Sequence, residues 1–243
     1  MAMTITRTRD PLGDLKTQED IVACLKAALE DGDSKFIAAA LEDIARAMGI
    51  AFTANRPDSA TPRRRFTVAE YYAMAEVGIL HENDRIELLD GDLIVMPPIG
   101  DWHAASVNRF TNSLPFLLQE RAIVCIQNPI RLNDNSEPQP DIMLLRWRDD
   151  FYSGGHPGPA DVLLLIEVAD TSVDYDRSAK LSAYARAGIP EVWIATRQER
   201  RIEAYTEPAE GEYTTARYAT PGESIAPQAF PDVVLEVDNL IAA

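Results

Sequence analysis

The sequence predicts an α/β domain preceded by a helical hairpin. Three observations carry this reading. Residues 14–49 hold two runs of helical periodicity separated by Gly32. Residues 50–65, with Asn55, Pro57, Asp58, Ser59, Thr61 and Pro62, offer little to a core. From Phe66 onward, short apolar strand-like runs mix with helical patterns. A boundary is therefore expected near residue 60. A hairpin and linker would fill residues 1–60 and the main domain residues 61–243.

In the hairpin, Thr17 caps the first helix with Asp20 at the capping-box position. Ile21, Cys24, Leu25, Ala28 and Leu29 share one of its faces. Asp33 or Ser34 starts the second helix, which carries Ile37, Leu41, Ile44 and Met48 and stops at Gly49. In the main domain, Thr67 is positioned to cap a helix with Glu70 at its third residue. Apolar runs at 86–89 and 93–96 flank Asp90-Gly91-Asp92, a strong hairpin signal. Residues 102–120 show helical phase in Val107, Phe110, Leu114 and Leu118, with Pro115 an expected interruption. Strands are expected at 123–126, 141–145, 162–168, 192–195, 202–205, 213–218 and 233–237. The 162–168 run is almost wholly apolar, as a strand covered on both faces should be. A helix over 174–187 would end at Gly188 and Pro190.

At 243 residues the chain can bury a core without disulfides. Its two cysteines, Cys24 and Cys125, are far apart, which fits a reducing cytoplasm and supplies no metal-ligand spacing. No apolar run reaches membrane-spanning length and the N-terminus lacks a secretory apolar segment. A cytoplasmic location without membrane contact is expected. The net charge of −16 weighs against a nucleic-acid partner, because phosphate contacts call on Lys and Arg. Arg63, Arg64 and Arg65 form the tight basic run. A nucleic-acid reading must therefore rest on the site itself.

The residues that bear chemistry start with Glu167, a lone carboxylate in the apolar run Leu163–Val168. A buried charge is costly unless paired or bound to a metal. Asp141 opens another strand after Pro140, so the two acids can converge from neighbouring strands. Converging carboxylates suit a hard cation such as Mg²⁺. Asp176, Lys180 and Tyr184 share one helical face at i, i+4 and i+8, and that helix can pack back across the sheet. Singly, each residue has a plainer account. Glu167 can pair with a surface arginine, Asp141 can be a turn residue, and Lys180 can form an exposed ion pair with Asp176 worth about 0.3–0.5 kcal/mol. Glu87 can be a solvated strand residue, His103 can flank its helix, and Tyr184 and Trp193 are more often core.

Together the segments resemble the Uma-two family of restriction endonucleases, a branch of the PD-(D/E)XK superfamily. The resemblance covers residues 66–240. It is carried by Phe66-Thr-Val-Ala-Glu-Tyr, Arg85-Ile-Glu-Leu-Leu-Asp-Gly, His103, Pro138-Gln-Pro-Asp-Ile, Leu165-Ile-Glu-Val-Ala-Asp-Thr-Ser, Tyr175-Asp-Arg-Ser-Ala-Lys-Leu and Tyr184-Ala-Arg-Ala-Gly-Ile-Pro-Glu-Val-Trp-Ile. It implies a restriction-endonuclease-like mixed sheet flanked by helices. It implies that Asp141, Glu167 and Glu87 bind Mg²⁺ or Mn²⁺, with Lys180 completing the catalytic set. The superfamily's usual lysine position is Ala169 here, and the family's lysine on the next helix is Lys180. His103, Tyr184 and Gln139 are expected in support. The implied reaction is phosphodiester hydrolysis, with DNA as partner and a homodimer as the assembly suggested by analogy. RNA and other phosphodiesters stay open as substrates. Through Leu15-Lys-Thr-Gln-Glu-Asp-Ile, Ala27-Ala-Leu-Glu-Asp-Gly-Asp and Ala39-Ala-Leu-Glu-Asp-Ile-Ala-Arg-Ala, the N-terminal segment resembles the start of addiction-module antidote proteins, without their recognition helix. The alternative function is a non-catalytic nuclease-fold binding module or a toxin–antitoxin-associated interaction protein, which the acidic charge favours.

Overall fold

The computed structural model describes residues 64–81 and 83–241. The helical hairpin expected over 14–49, most of the linker, and Cys24 lie outside the described residues.

Helix α1 (Val68–Glu76) begins at the expected cap. The Thr67 hydroxyl accepts from the Glu70 N–H, and the Glu70 carboxylate accepts from the Thr67 N–H. Two otherwise orphaned donors are satisfied at once. Strands β1 (Ile86–Leu89) and β2 (Asp92–Val95) form the expected hairpin. Asp90 and Gly91 both take positive φ, 51° and 80°, as a two-residue turn between right-twisted strands requires. Helix α2 (Asp101–Leu118) runs through Pro115 rather than breaking there. Proline removes one helical N–H, but Leu114 and Leu118 on either side are fully buried and hold the helix to the sheet. Among the described residues no helix is long and apolar enough to cross a membrane.

Six strands follow: β3 (Ile123–Ile126), β4 (Ile142–Leu145), β5 (Val162–Ala169), β6 (Glu191–Thr196), β7 (Arg201–Ala209) and β8 (Glu212–Ala219). They make one sheet in sequence order. Every neighbouring pair is antiparallel except β5–β6, which is parallel. A parallel pair needs a crossover, and residues 173–187 supply it.

That crossover differs from the uniform helix expected over 174–187. It consists of α3 (Val173–Tyr175), a π-helical segment (Asp176–Lys180) and α4 (Leu181–Ala187), ending at Gly188 in the left-handed region. Periodicity does not distinguish a π turn from an α turn over so few residues. The expected strand at 233–237 is also shorter. Only Leu235–Glu236 (β10) pairs, with Ser224–Ile225 (β9), before α5 (Val237–Leu240) begins. Buried Val237 and Leu240 draw the chain into a helical turn there.

The sheet is covered on both faces. Ile142, Leu144, Leu164, Ile166, Val168 and Trp193 pack with Phe110, Leu114 and Leu118 of α2. Met143, Leu165, Val192 and Ile194 pack with Ala183 and Tyr184 of α4. Strand side chains alternate between faces, so Glu167, between Ile166 and Val168, faces α4 and the π segment.

Candidate active site

A cavity of about 430 Å³ opens where β1, the start of β4, the end of β5 and the π segment meet. Glu87, Asp141, Glu167, Asp176, Lys180 and His103 are among its lining residues. The acids and the lysine are buried, which costs free energy unless each finds partners.

Each does. Glu87, in β1, accepts from the backbone N–H of Gln139 at 3.1 Å. Asp141 precedes β4 and sits beside the end of β5, because Ile142 pairs with Ile166. Its Oδ2 accepts from the Val168 N–H at 2.9 Å and its Oδ1 from the Gln127 amide at 3.2 Å. His103 Nε2, in the first turn of α2, lies 3.0 Å from Asp141 Oδ1. Glu167 Oε1 accepts from the Tyr184 hydroxyl at 2.6 Å and from Lys180 Nζ at 3.2 Å. The same ammonium stands 3.3 Å from Glu87 Oε2. Asp176 accepts from the Ser172 hydroxyl at 2.6 Å.

The plainer accounts of several residues are thereby replaced. Lys180 is no exposed i, i+4 partner of Asp176; it bridges two strands by contacting Glu87 and Glu167. Glu87 is not solvated. Tyr184 is core, yet its hydroxyl holds a site carboxyl. Gln139 contributes through its backbone, while its side chain donates to the Gln127 carbonyl at 2.5 Å. Asp176 was visible in the sequence through its spacing to Lys180. Gln127 carried no such signal, because a loop position joins the site only through tertiary contact. Ser172 and Tyr175 lie within the family motifs, but the fold decides that Ser172 donates to Asp176 and the Tyr175 hydroxyl to Glu87, at 3.4 Å.

The charges do not balance. Glu87, Asp141, Glu167 and Asp176 surround a single ammonium. Burial pushes the Glu167 carboxyl up to about 8 despite the opposing Lys180 charge. Burial also raises Asp176. Asp141 is the exception: burial would raise it, but bonding and charge from His103, with the Val168 N–H and Gln127, hold it below the usual carboxylate value. Burial would strip Lys180 of its proton, but Glu167, Glu87, Asp176 and Asp141 keep it charged well above the ordinary range.

Among the described residues no three His, Cys, Asp or Glu side chains already stand together as a metal cage. The donor set nonetheless fits a hard cation. It is all carboxylate oxygen, it carries surplus negative charge, and Mg²⁺ typically takes only one or two carboxylates while keeping waters. Glu87, Asp141 and Glu167 are the residues that would hold it. Of the basic run, Arg64 pairs with Glu70 and Arg65 with Asp92, while Arg63 lies outside the described residues.

Comparison with known proteins bears on the fold and the family. A solved structure from Anabaena variabilis, described as "a putative nuclease belonging to DUF820", superposes with a TM-score of 0.56 at 16% identity, covering 72% of this chain and 97% of that one. At that identity the likeness is one of fold. No curated protein matches the chain. The family model described as "Putative restriction endonuclease" matches residues 68–238, and the chain therefore belongs to the Uma2 family.

Proposed function

We propose that this chain is a divalent-metal-dependent endonuclease that hydrolyses phosphodiester bonds, with DNA as substrate and Mg²⁺ or Mn²⁺ as cofactor. One observation carries the reading: the Lys180 ammonium lies between Glu87 and Glu167 in the cavity that Asp141 also lines. Family membership supports it. When bound, the metal would polarise a phosphoryl oxygen and lower the pKa of a water.

The chain's own residues supply the rest. Asp141 and Glu167 offer oxygen ligands from the six-stranded sheet, and Glu87 from the β1–β2 hairpin. Tyr184 and Lys180 orient Glu167, while Gln127, His103 and the Val168 N–H orient Asp141 and favour its ionised form. An ammonium has three donors, and two carboxylates leave Lys180 one with which to orient the attacking water or meet charge growing on the phosphate. The apolar strands around the acids exclude bulk water, which strengthens each of these interactions.

The rival reading is a nuclease fold used for binding alone. It draws on the net charge of −16 and on the pairing of Arg64 and Arg65 with acids. Cleavage assays separate the two. DNA and RNA, single- and double-stranded, are incubated with Mg²⁺, Mn²⁺ or a chelator, beside Asp141→Ala. Cleavage of DNA that stops with the chelator, and falls about a hundredfold or more in the variant, is expected. Binding without cleavage of any substrate would favour the rival. Cleavage indifferent to either manipulation would remove the assignment of the site.

A further inference from the structure

Glu203 is a second buried acid on the sheet face that carries Glu167. Glu167 on β5 pairs in register with Ile194 on β6, and Ile194 pairs with Glu203 on β7. The two carboxyls thus stand in one row on one face, two strands and about 10 Å apart by ordinary strand spacing. The π segment straddles that row. Lys180 reaches Glu167 on one side. Arg177, three residues earlier in the same segment, reaches Glu203 on the other, with Nε at 2.9 Å and Nη2 at 2.5 Å.

Arg177 also donates to Glu199 at 2.9 Å. Glu203 is fixed in turn by Arg201 Nε at 2.8 Å, Arg201 Nη2 at 2.6 Å and the Tyr205 hydroxyl at 2.7 Å. A two-pronged arginine–carboxylate pair has directional as well as electrostatic content. It sets both the height and the rotation of the segment that bears it.

This matters because a π segment is intrinsically poor. Its i→i+5 pattern is rare, and such segments occur frequently at functional sites. Relaxation to α geometry would rotate Lys180 relative to β5 and withdraw its ammonium from Glu87 and Glu167. We infer that Arg177 and Glu203 are positioning residues that hold the π segment in the register at which Lys180 enters the active site, a role that rests on the nuclease reading only for its catalytic consequence. Neither residue lines the cavity.

The test uses the full chain and two readouts. The chain has four lysines, Lys16, Lys26, Lys35 and Lys180. Selective ¹⁵N labelling of lysine resolves slowly exchanging ammonium groups by NMR, and Lys180→Arg assigns the one of interest. Arg177→Gln breaks the clamp while Arg201 and Tyr205 still satisfy Glu203. We expect the Lys180 signal to shift or broaden, kcat to fall at least tenfold and KM to stay within about twofold, with partial recovery in Arg177→Lys. An unchanged Lys180 signal and kcat, with or without a lower melting temperature, would make the pair a plain structural brace and overturn the inference. If Arg177→Gln does not fold, the charge-retaining Arg177→Lys is read alone: an intermediate loss supports positioning and wild-type behaviour overturns it. If the wild type cleaves nothing, the nuclease reading fails separately and the NMR signal alone decides the positioning claim.

Discussion

Glu167 and Glu203 occupy the same register row and sheet face, and both are buried, yet their surroundings push them in opposite directions. Burial raises Glu167 to about 8, with one ammonium shared among four carboxyls. Burial would raise Glu203 too, but bonds from Arg177, Tyr205 and Arg201 outweigh it and hold that carboxyl below its ordinary value. Around Glu203 and Glu199, two guanidinium groups meet two carboxylates. The comparison teaches how to tell a brace from a site. A buried acid whose charge is matched is holding something together. A buried acid left in surplus, in a cavity, is the kind of group that clusters at functional sites.

The sharpest way to break this comparison is to remove the cation from the unbalanced side. Lys180→Met leaves Glu87, Asp141, Glu167 and Asp176 without their ammonium. Cleavage should fall about 10²–10³-fold. Folding stability should drop about 3–5 kcal/mol at neutral pH, as when a buried pair loses one partner. Acid should restore part of that loss, because the stranded carboxyls can then take protons. A variant equally active, or equally stable at every pH, would show that the lysine does not balance these acids.

Glu203→Gln tests the balanced side. It should cost about 3 kcal/mol at pH 7, measured by denaturant unfolding. The wild-type carboxyl has a lowered folded value, so its contribution is present above its unfolded value and lost as pH falls through the folded one. The gap between wild type and variant should therefore close below about pH 4. A gap that widens in acid would contradict the matched-charge account.

The last effect has the opposite sign. Glu167 has a raised folded value, so its favourable contribution is present below its unfolded value and lost as pH climbs towards about 8. In metal-free protein, Glu167→Gln should be more stable than the wild type at pH 8, and match it near pH 4. Added Mg²⁺ should stabilise the wild type more than this variant. A variant less stable than wild type at pH 8 without metal would show that Glu167 is satisfied rather than in surplus.

The sequence by itself determined much of this protein. Strand-like runs bounded by turn residues located β1 to β8, because such runs are a local pattern. Thr67 with Glu70, and Asp90-Gly91, announced their cap and turn through short-range chemistry. Glu167 stood out as a charge inside an apolar strand, and family motifs pointed to Asp141, Glu87 and Lys180. Only tertiary structure decided what the acids face. Register between strands placed Glu203 in line with Glu167, and the crossover brought Lys180 between Glu87 and Glu167, pairs separated by many residues along the chain. The π geometry of Asp176–Lys180 was likewise invisible, since side-chain spacing barely changes over one turn while the backbone bonding and phase do. Charge balance is a property of such assembled neighbourhoods, and no linear pattern carries it.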